Sequence, residues 1–572
     1  MTRSQLVASP LRGAVLAALA LCAQPLVFAQ APCVSTRVGD WFPRGWTVGD
    51  TSIGRAVAMT ADGECSAIAA PFHPHQGMLK IGKVWILSGW GASLRVVAEL
   101  SPPVYHQNMA FGSALAFNEA GDLLVVGAPG SNHYGRVFVF RFNGSNWVQE
   151  WHTSANLVDS LGYSISVDAA GDRFAVGAPA RDNSGFTNPG AVIIYRRESG
   201  SWMEETTITQ VQLPQSRSIG FNVVLSRDGG LLAISSVPHQ SWPISSGSVH
   251  ILERSASIWT PVAMLQEPVA HSTGGFGIGM SLDADAMTLA VGNPNDNRLA
   301  YGHGAVTVFR KGAAGWAYDT VLLPATPVAG YTMGRSVALN AAGDRLRAGA
   351  GGATVNGMNS AGAVEEFEFT NGAWQRSAVH TSPFPEAGTL FGHYVVQGSG
   401  IGDRWVVGEP GSDANGPDAG QIHFFEARCL TPTVYCSAQT NTLGCTPQIE
   451  SQGTPRASVA SGFTLTAKHI RNQQNGMLLY GTNGRAALPW LGGTLCVQPP
   501  LRRTPLVNSG GTPSPADDCS GELSRDFNTW VSVANDPSLF VGQRVRAQFY
   551  SRDPGAPQNL NLTDAIEFYL EP

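Results

Sequence analysis

Along residues 111–147, FGSALAFNEAGDLLVVGAPGSNHYGRVFVFRFNGSNW, short apolar runs are separated by polar, glycine-bearing turns, and the pattern predicts four strands. The first is the small-residue segment Ser113 to Phe117, and a Gly121-Asp122 turn leads to the second, Leu123 to Gly127. Ala128-Pro129 ends it, because proline cannot donate to a central ladder. A polar loop reaches Gly135 and the third strand, Arg136 to Phe140, whose valines and phenylalanines suit a pleated, half-buried surface. A turn at Asn143-Gly144 then leads to Trp147 and the fourth strand.

The same order recurs seven times. An apolar residue followed by glycine opens a unit at Ile53-Gly54, Phe111-Gly112, Leu161-Gly162, Ile219-Gly220, Phe276-Gly277, Met333-Gly334 and Phe391-Gly392, with glycine spacings of 58, 50, 58, 57, 57 and 58. Trp147 has counterparts at Trp202, Trp259, Trp316 and Trp374, placed to fill the packing between units. Four antiparallel strands per repeat, radially arrayed, describe a seven-bladed β-propeller, and small residues in each first strand suit its crowded centre. The seventh unit supplies three strands, ending at His423-Phe424-Phe425, so the segment from Cys33 to Trp41 is expected to return as the fourth strand of blade seven. That pairing would set Cys33 beside Cys429 in a disulfide clasping the ring.

Composition agrees with an all-β chain: of 572 residues only 14% are charged, while 66 Gly and 36 Pro serve many tight turns. Residues 1–31 have a leader's layout, with Arg3 and Arg12, an apolar run from Ala14 to Leu21, and small residues at Ala29 and Ala31. Export is therefore expected, with no membrane span after leader cleavage. The remainder carries 34 basic against 42 acidic residues, net −8 with no basic run, which argues against nucleic acid as a partner.

The repeated Phe-Gly opening with Val-Gly-Ala-Pro, at Val126 to Pro129 and Val176 to Pro179, resembles the FG-GAP repeat and thereby the propeller of integrin α chains. The likeness spans about residues 33–430, with degenerate copies at Ser236-Val237-Pro238 and Ala350-Gly351. Such repeats often carry a calcium loop between strands one and two, rich in carboxylates. Here the turns read NEAGD (118–122), DAAGD (168–172), SRDGG (226–230), DADAM (283–287) and NAAGD (340–344), too short and too poor in acids, so no cofactor and no calcium ligands are carried over. Asp122, Asp172, Asp344 and Asp403 read as turn formers capping backbone amides. A second place for a cation is the polar loop after strand two, at Asp182-Asn183, Asn295-Asp296-Asn297 or Ser412-Asp413-Ala414-Asn415.

From residue 431 to 572 the repeat stops and alternating stretches, Phe463 to Ala467, Gly476 to Gly481 and Val545 to Tyr550, predict a small disulfide-stapled β-sandwich. Its pattern YC…GC, LLYG, GGTLCV, and FYSRDP followed by LTDAIEF resembles a C-terminal module recurrent in secreted bacterial proteins. Cys436 is expected to pair with Cys445 and Cys496 with Cys519, although four cysteines permit three connectivities, leaving Cys65 as a small buried thiol. Trp490, Trp530 and Tyr550 read as core residues before sugar-stacking ones.

No Gly-x-Ser-x-Gly elbow or His-Glu-x-x-His helix occurs, and His73-Pro74-His75 lacks a third ligand, so the chain is read as a non-enzyme. The strand two–three loops share one end of the ring with the four–one connections. Their lengths and sequences vary, and variable loops on a rigid scaffold are where recognition is expected. The recognition face is therefore assigned to 130–134, 180–189, 239–246, 295–303, 352–361 and 411–419, with Tyr134, Asp182, Asn183, Trp242, Asn295, Asp296, Tyr301, Asp413 and Asn415 as candidate contacts for a protein or glycan. Alternatives are a structural spacer of the envelope and a propeller acting on polysaccharide, the latter needing paired carboxylates at one mouth.

Overall fold

The computed structural model describes residues 34–570 apart from 44–50, 76, 91–92, 104–105, 131–134, 154–159, 183–188, 215, 238–246, 269–273, 398–403, 429–431, 458, 491, 535, 541–542 and 557. Seven four-stranded antiparallel sheets form a propeller, each running in sequence order from an innermost to an outermost strand, except the seventh. There Tyr394–Gln397, Arg404–Glu409 and Gln421–Arg428 are joined by the N-terminal strand Val34–Trp41, which pairs antiparallel from Val34↔Arg428 to Trp41↔Ile422. Closure thus takes the expected route, while Cys33 and Cys429, one residue beyond that register, lie outside the described residues. The strands of blade two, Ala114–Phe117, Leu123–Ala128, Arg136–Phe142 and Trp147–His152, fall within two residues of their predicted bounds.

The repeated glycines have a steric cause. Gly220 has φ +87°, and a Cβ on Gly177, in the second strand of blade three, would lie 1.9 Å from the Gly220 carbonyl oxygen of blade four. Gly292 meets Gly334 in the same way, also at 1.9 Å. The glycine of each opening pair and that of Val-Gly-Ala-Pro are therefore the two sides of one blade-to-blade contact. Blade four presents Ser235 at the second-strand position; its hydroxyl accepts from Asn222 N at 2.8 Å, and the first strand there, Ile219–Leu225, carries a register shift.

The core is divided among the seven blade interfaces, each filled by one apolar cluster: Phe111 and Phe138 with Ala69 between blades one and two, and Trp405, Val407 and Phe425 with Val364 between six and seven. Alternate residues of a strand face opposite neighbours. Trp202 and Trp259 are buried in such clusters, and Trp147, Trp316 and Trp374 pack partly buried against others. Cys65 is half-buried rather than buried, and burial still pushes its thiol pKa up.

The C-terminal domain sets the sheet containing Asn475–Gly481, Arg544–Arg552 and Leu560–Tyr569 across from Gln448–Gly453, Phe463–Ile470 and Gly521–Asp526, with Phe463, Leu478, Phe549 and Phe568 between them. A helix, Phe527–Ala534, stands where no helix is expected; it buries Phe527 in this core and packs Trp530 against it. Trp490 and Tyr550 pack against a second, smaller cluster, in keeping with their reading as core residues. The expected disulfide pairs are corrected: Cys436 bonds Cys496 and Cys445 bonds Cys519. Tertiary packing sets the partners side by side: Tyr435 Oη donates to Cys496 O at 2.7 Å and Asn441 Nδ2 lies 3.6 Å from Cys519 Sγ. The domain docks on blade seven through a buried ion pair, Arg544 Nη2 to Glu426 Oε1 at 3.1 Å. No helix among the described residues is long and apolar enough to cross a membrane.

His423 ties the closing strand to blade seven, with Nδ1 2.8 Å from Asp40 and Nε2 2.6 Å from Glu409. Burial by itself would lower its pKa, but the hydrogen bonds and charges of Asp40 and Glu409 raise it above the ordinary 6.5. Protonated His423 therefore stabilises the ring in full below about 6.5, and that contribution is lost as pH rises through the raised native value. Asp40, lowered by the same contact against burial, loses its contribution only as pH falls through its native value. His423→Gln is expected to cost about 3–5 kcal/mol, the range for removing one partner of a buried pair, and to flatten the fall of the urea midpoint as pH rises from about 6.5. An unchanged pH profile in the variant would contradict the clasp.

Non-reducing peptide mapping should recover the 436–496 and 445–519 cross-links. Reduction should destabilise the C-terminal domain, since loops of 60 and 74 residues are each worth about 4 kcal/mol by chain entropy. Recovery of 436–445 would overturn the pairing.

Candidate functional site at the propeller mouths

The two ends of the propeller are built differently. At the end of the strand one–two turns, one side chain closes the turn on itself in each of the six blades whose turn is described: Asp168 Oδ1 accepts from Asp172 N at 3.0 Å, Asp283 Oδ1 from Thr288 N at 3.0 Å, and Asn340 Oδ1 from Arg345 N at 2.9 Å. Asn118, Ser226 and Thr60 do the same in their blades. This corrects the turn chemistry expected at the Gly-Asp positions. The cap is the residue four before each Asp, and Asp122 and Asp344 instead accept from Asn118 and Asn340 Nδ2, both at 2.7 Å; Asp403 lies outside the described residues. Neighbouring turns are bonded together, Ala169 N to Arg227 O at 2.9 Å and Ala284 N to Ala341 O at 3.0 Å. They enclose a cavity of about 360 Å³ floored by Met59, Phe117, Val167, Leu225, Leu282 and Leu339, with the Arg227–Glu119 ion pair at its rim.

The opposite end carries the loops assigned to recognition. Tyr134, Asn183 and Trp242 lie outside the described residues; Asp182, Asn295 and Asp413 are exposed, Tyr301 is 77% exposed, and Asn415 is half-buried. Asp296 is corrected from contact residue to structural anchor. It is 0% exposed; Arg298 holds it with Nε 3.0 Å from both oxygens and Nη2 at 2.7 Å, and His303 Nε2 lies 3.2 Å away. Beneath it Glu267 accepts from Asn293 at 2.7 Å, and burial, reinforced by the Asp296 charge, raises its pKa to about 7. Asn297 Oδ1 is taken by Gly302 N at 2.6 Å, and Asp413 Oδ1 by Asp418 N at 2.8 Å. The oxygens of Asp296, Asn297 and Asp413 thus serve their own loops, and no group of three His, Cys, Asp or Glu suited to a metal occurs among the described residues.

What converges instead is the residue directly after each opening glycine. Arg55, Ser113, Tyr163, Phe221, Ile278, Arg335 and His393 stand at the heads of the seven innermost strands and ring the channel mouth at the loop end. Tyr163 and Phe221 have ring centroids 4.9 Å apart, Arg55 lies 4.8 Å over Phe72, and Arg335 Nε reaches His393 Nε2 at 3.3 Å. Burial first, then the charges of Arg335 and Arg55, lowers His393 to about 3, so its ring is neutral at ordinary pH. Burial raises Tyr163, whose phenol also feels Tyr394, Arg335 and Arg55. Among the described residues neither Arg55 nor Arg335 pairs with a carboxylate. Sequence reasoning missed these residues. Their signal is one repeat position, immediately after the recurring glycine, where charged and aromatic types replace small ones.

No protein-family model matches the chain, and no curated protein matches it. Solved structures similar to it include the WD40 repeats of RRP9, at 11% identity and TM-score 0.44 over 70% of this chain and 99% of that one. A Pseudomonas aeruginosa periplasmic gluconolactonase is 18% identical, with TM-score 0.39 over 60% of this chain and 90% of that one. A Bacteroides uniformis protein named as a 6-phosphogluconolactonase is 10% identical, with TM-score 0.40 over 58% of this chain and 86% of that one. The chain is a β-propeller protein. The reading of it as a non-enzyme is corrected, because propellers among its similar structures are named as lactonases, which are enzymes. At these identities the likeness is one of fold and assigns this chain no substrate or reaction.

If Asp296 holds the loop in shape, Asp296→Ala should destabilise the protein by about 3–5 kcal/mol through the stranded Arg298, while Asn295→Ala and Tyr301→Ala stay within about 0.5 kcal/mol. Calorimetric melting of the three variants checks this; equal melting temperatures would return Asp296 to the ligand-contact class.

Proposed function

We propose that the chain is an exported recognition protein with a propeller of the FG-GAP type, and that it binds a protein or glycan partner with the strand two–three loop end. The difference between the two ends supports this reading. One end has turns of nearly one length; the six that are described are each stapled by a side chain of their own, and several are bonded to a neighbour. The other has loops of unequal length with exposed Asp182, Tyr301 and Asp413 around a mouth of arginines and aromatic rings. Self-satisfied turns have few groups to offer a partner; unequal loops on a rigid frame do. Export is supported by the leader-like residues 1–31 and by disulfides, which persist in oxidising compartments.

Glycan and protein arrays probed with the leader-free chain test the assignment. Combined Asp182→Ala, Tyr301→Ala and Asp413→Ala replacement is expected to weaken retained signals by about tenfold or more, as loss of interface anchors does, while Glu119→Ala with Arg227→Ala leaves them unchanged. The opposite outcome would move recognition to the turn end.

A further inference from the structure

We propose that the channel mouth at the loop end is a binding site for an anionic sugar residue, whose carboxylate or sulfate sits between Arg55 and Arg335 while its ring lies on Tyr163 and Phe221. This rests on the reading of the loop end as the recognition face and names the chemistry at its centre.

The mouth has two sides. Blade seven borders blade one through the parallel bridge Ile53↔Gly420, so Arg335 of blade six, His393 of blade seven and Arg55 of blade one stand side by side. Across the channel, blades three and four contribute Tyr163 and Phe221. Lys80, whose ammonium lies 4.9 Å over the Phe72 ring that Arg55 also covers, adds a third cation outside the arc.

Among the described residues the charge at this mouth has no carboxylate partner, whereas many arginines of the propeller do. Arg141, Arg173, Arg298, Arg345, Arg347, Arg376 and Arg404 are all paired with carboxylates within the blades, in a chain of net charge −6. Among the described residues the exposed Arg335 is bonded to the His393 ring nitrogen, and Arg55 lies against the Phe72 face. The neutral imidazole adds no charge but fixes the Arg335 guanidinium by accepting from Nε, which leaves the two terminal nitrogens for a bidentate oxyanion.

The flat side selects the ligand. Tyr163, 40% exposed, offers an aromatic face beside the cations. A pyranose bearing an acid group presents both an apolar C–H face and an oxyanion, whereas an aspartate or glutamate side chain presents an oxyanion without a ring.

Titration calorimetry of the full leader-free chain tests this with four probes: an oligouronate, a sulfated oligosaccharide, a neutral carboxyl-reduced oligomer and oligoglutamate. The oligouronate, the sulfated sugar or both should bind, the difference identifying the acid group; the neutral oligomer and oligoglutamate should not. Arg335→Ala and Arg55→Ala should each weaken binding about tenfold or more, as loss of a charge-assisted pair does, with unchanged melting temperature. Tyr163→Ala should weaken it with the charge intact, and Tyr163→Phe should restore it. Absence of binding by both acidic sugars, equal binding of oligoglutamate, or an unaltered affinity in Arg335→Ala would overturn the site. If the Asp182, Tyr301 and Asp413 variant loses the probe while the arginine variants keep it, the mouth proposal fails and recognition by the loop end stands. If no variant at this end alters a bound probe, both fail.

Discussion

A Cβ on Gly177 would lie 1.9 Å from the carbonyl oxygen of Gly220, inside any tolerable contact, and the same holds for Gly292 against Gly334 and Gly349 against Gly392. The propeller depends on this approach of bare backbone to bare backbone at its hub. It explains why the innermost strands are short and rich in small residues, and why an apolar residue precedes each opening glycine: that side chain, such as Phe111 or Phe391, fills the interface the glycine has brought close. Each glycine also delivers its successor to the head of an innermost strand at the channel mouth, so seven positions far apart in sequence become neighbours around one axis.

Polar groups do a different job in different parts of the ring. At the closing seam, Asp40 and Glu409 grip His423, and Arg347, fully buried, pairs with Glu366 at 2.6 Å while lying 4.6 Å over the Trp405 ring. Glu426 extends the same seam outward, meeting Arg404 at 3.4 Å and Arg544 of the C-terminal domain at 3.1 Å. Pairing of this kind offsets desolvation and gives direction to strands that apolar packing alone would leave free to slide. At the blade-five loop the Asp296, Arg298 and Glu267 cluster holds an exposed loop on a buried root. At the loop-end mouth Arg55 and Arg335 have no carboxylate among the described residues, and it is there that a ligand's charge has a place.

The seven repeats, their four strands and the use of the N-terminal segment to complete blade seven were legible in the sequence, because each rests on local periodicity: apolar runs, turn glycines and a ladder-ending proline. Among the rim residues, Tyr301, Asp182, Asn295 and Asp413 are exposed on loops, and Asp296 is not. Its burial was unreadable because Arg298 and His303, which neutralise it, look like any other loop residues until the loop folds back. The helix Phe527–Ala534 escaped notice for a similar reason, since its short apolar pattern also suits a strand.

The sequence by itself determined the fold class, the blade count and which end of the ring bears variable loops, since these derive from period and turn chemistry within a single repeat. Tertiary structure alone decided which cysteines pair, which loop acids are spent on their own backbone, and that Arg55, Tyr163, Phe221, Arg335 and His393 meet at one mouth. The mouth depends on closure of the ring, which joins residues hundreds of positions apart; the disulfides span 60 and 74 residues, and the loop acids meet their partners only when each loop folds back, so no strand period or turn pattern encodes these contacts.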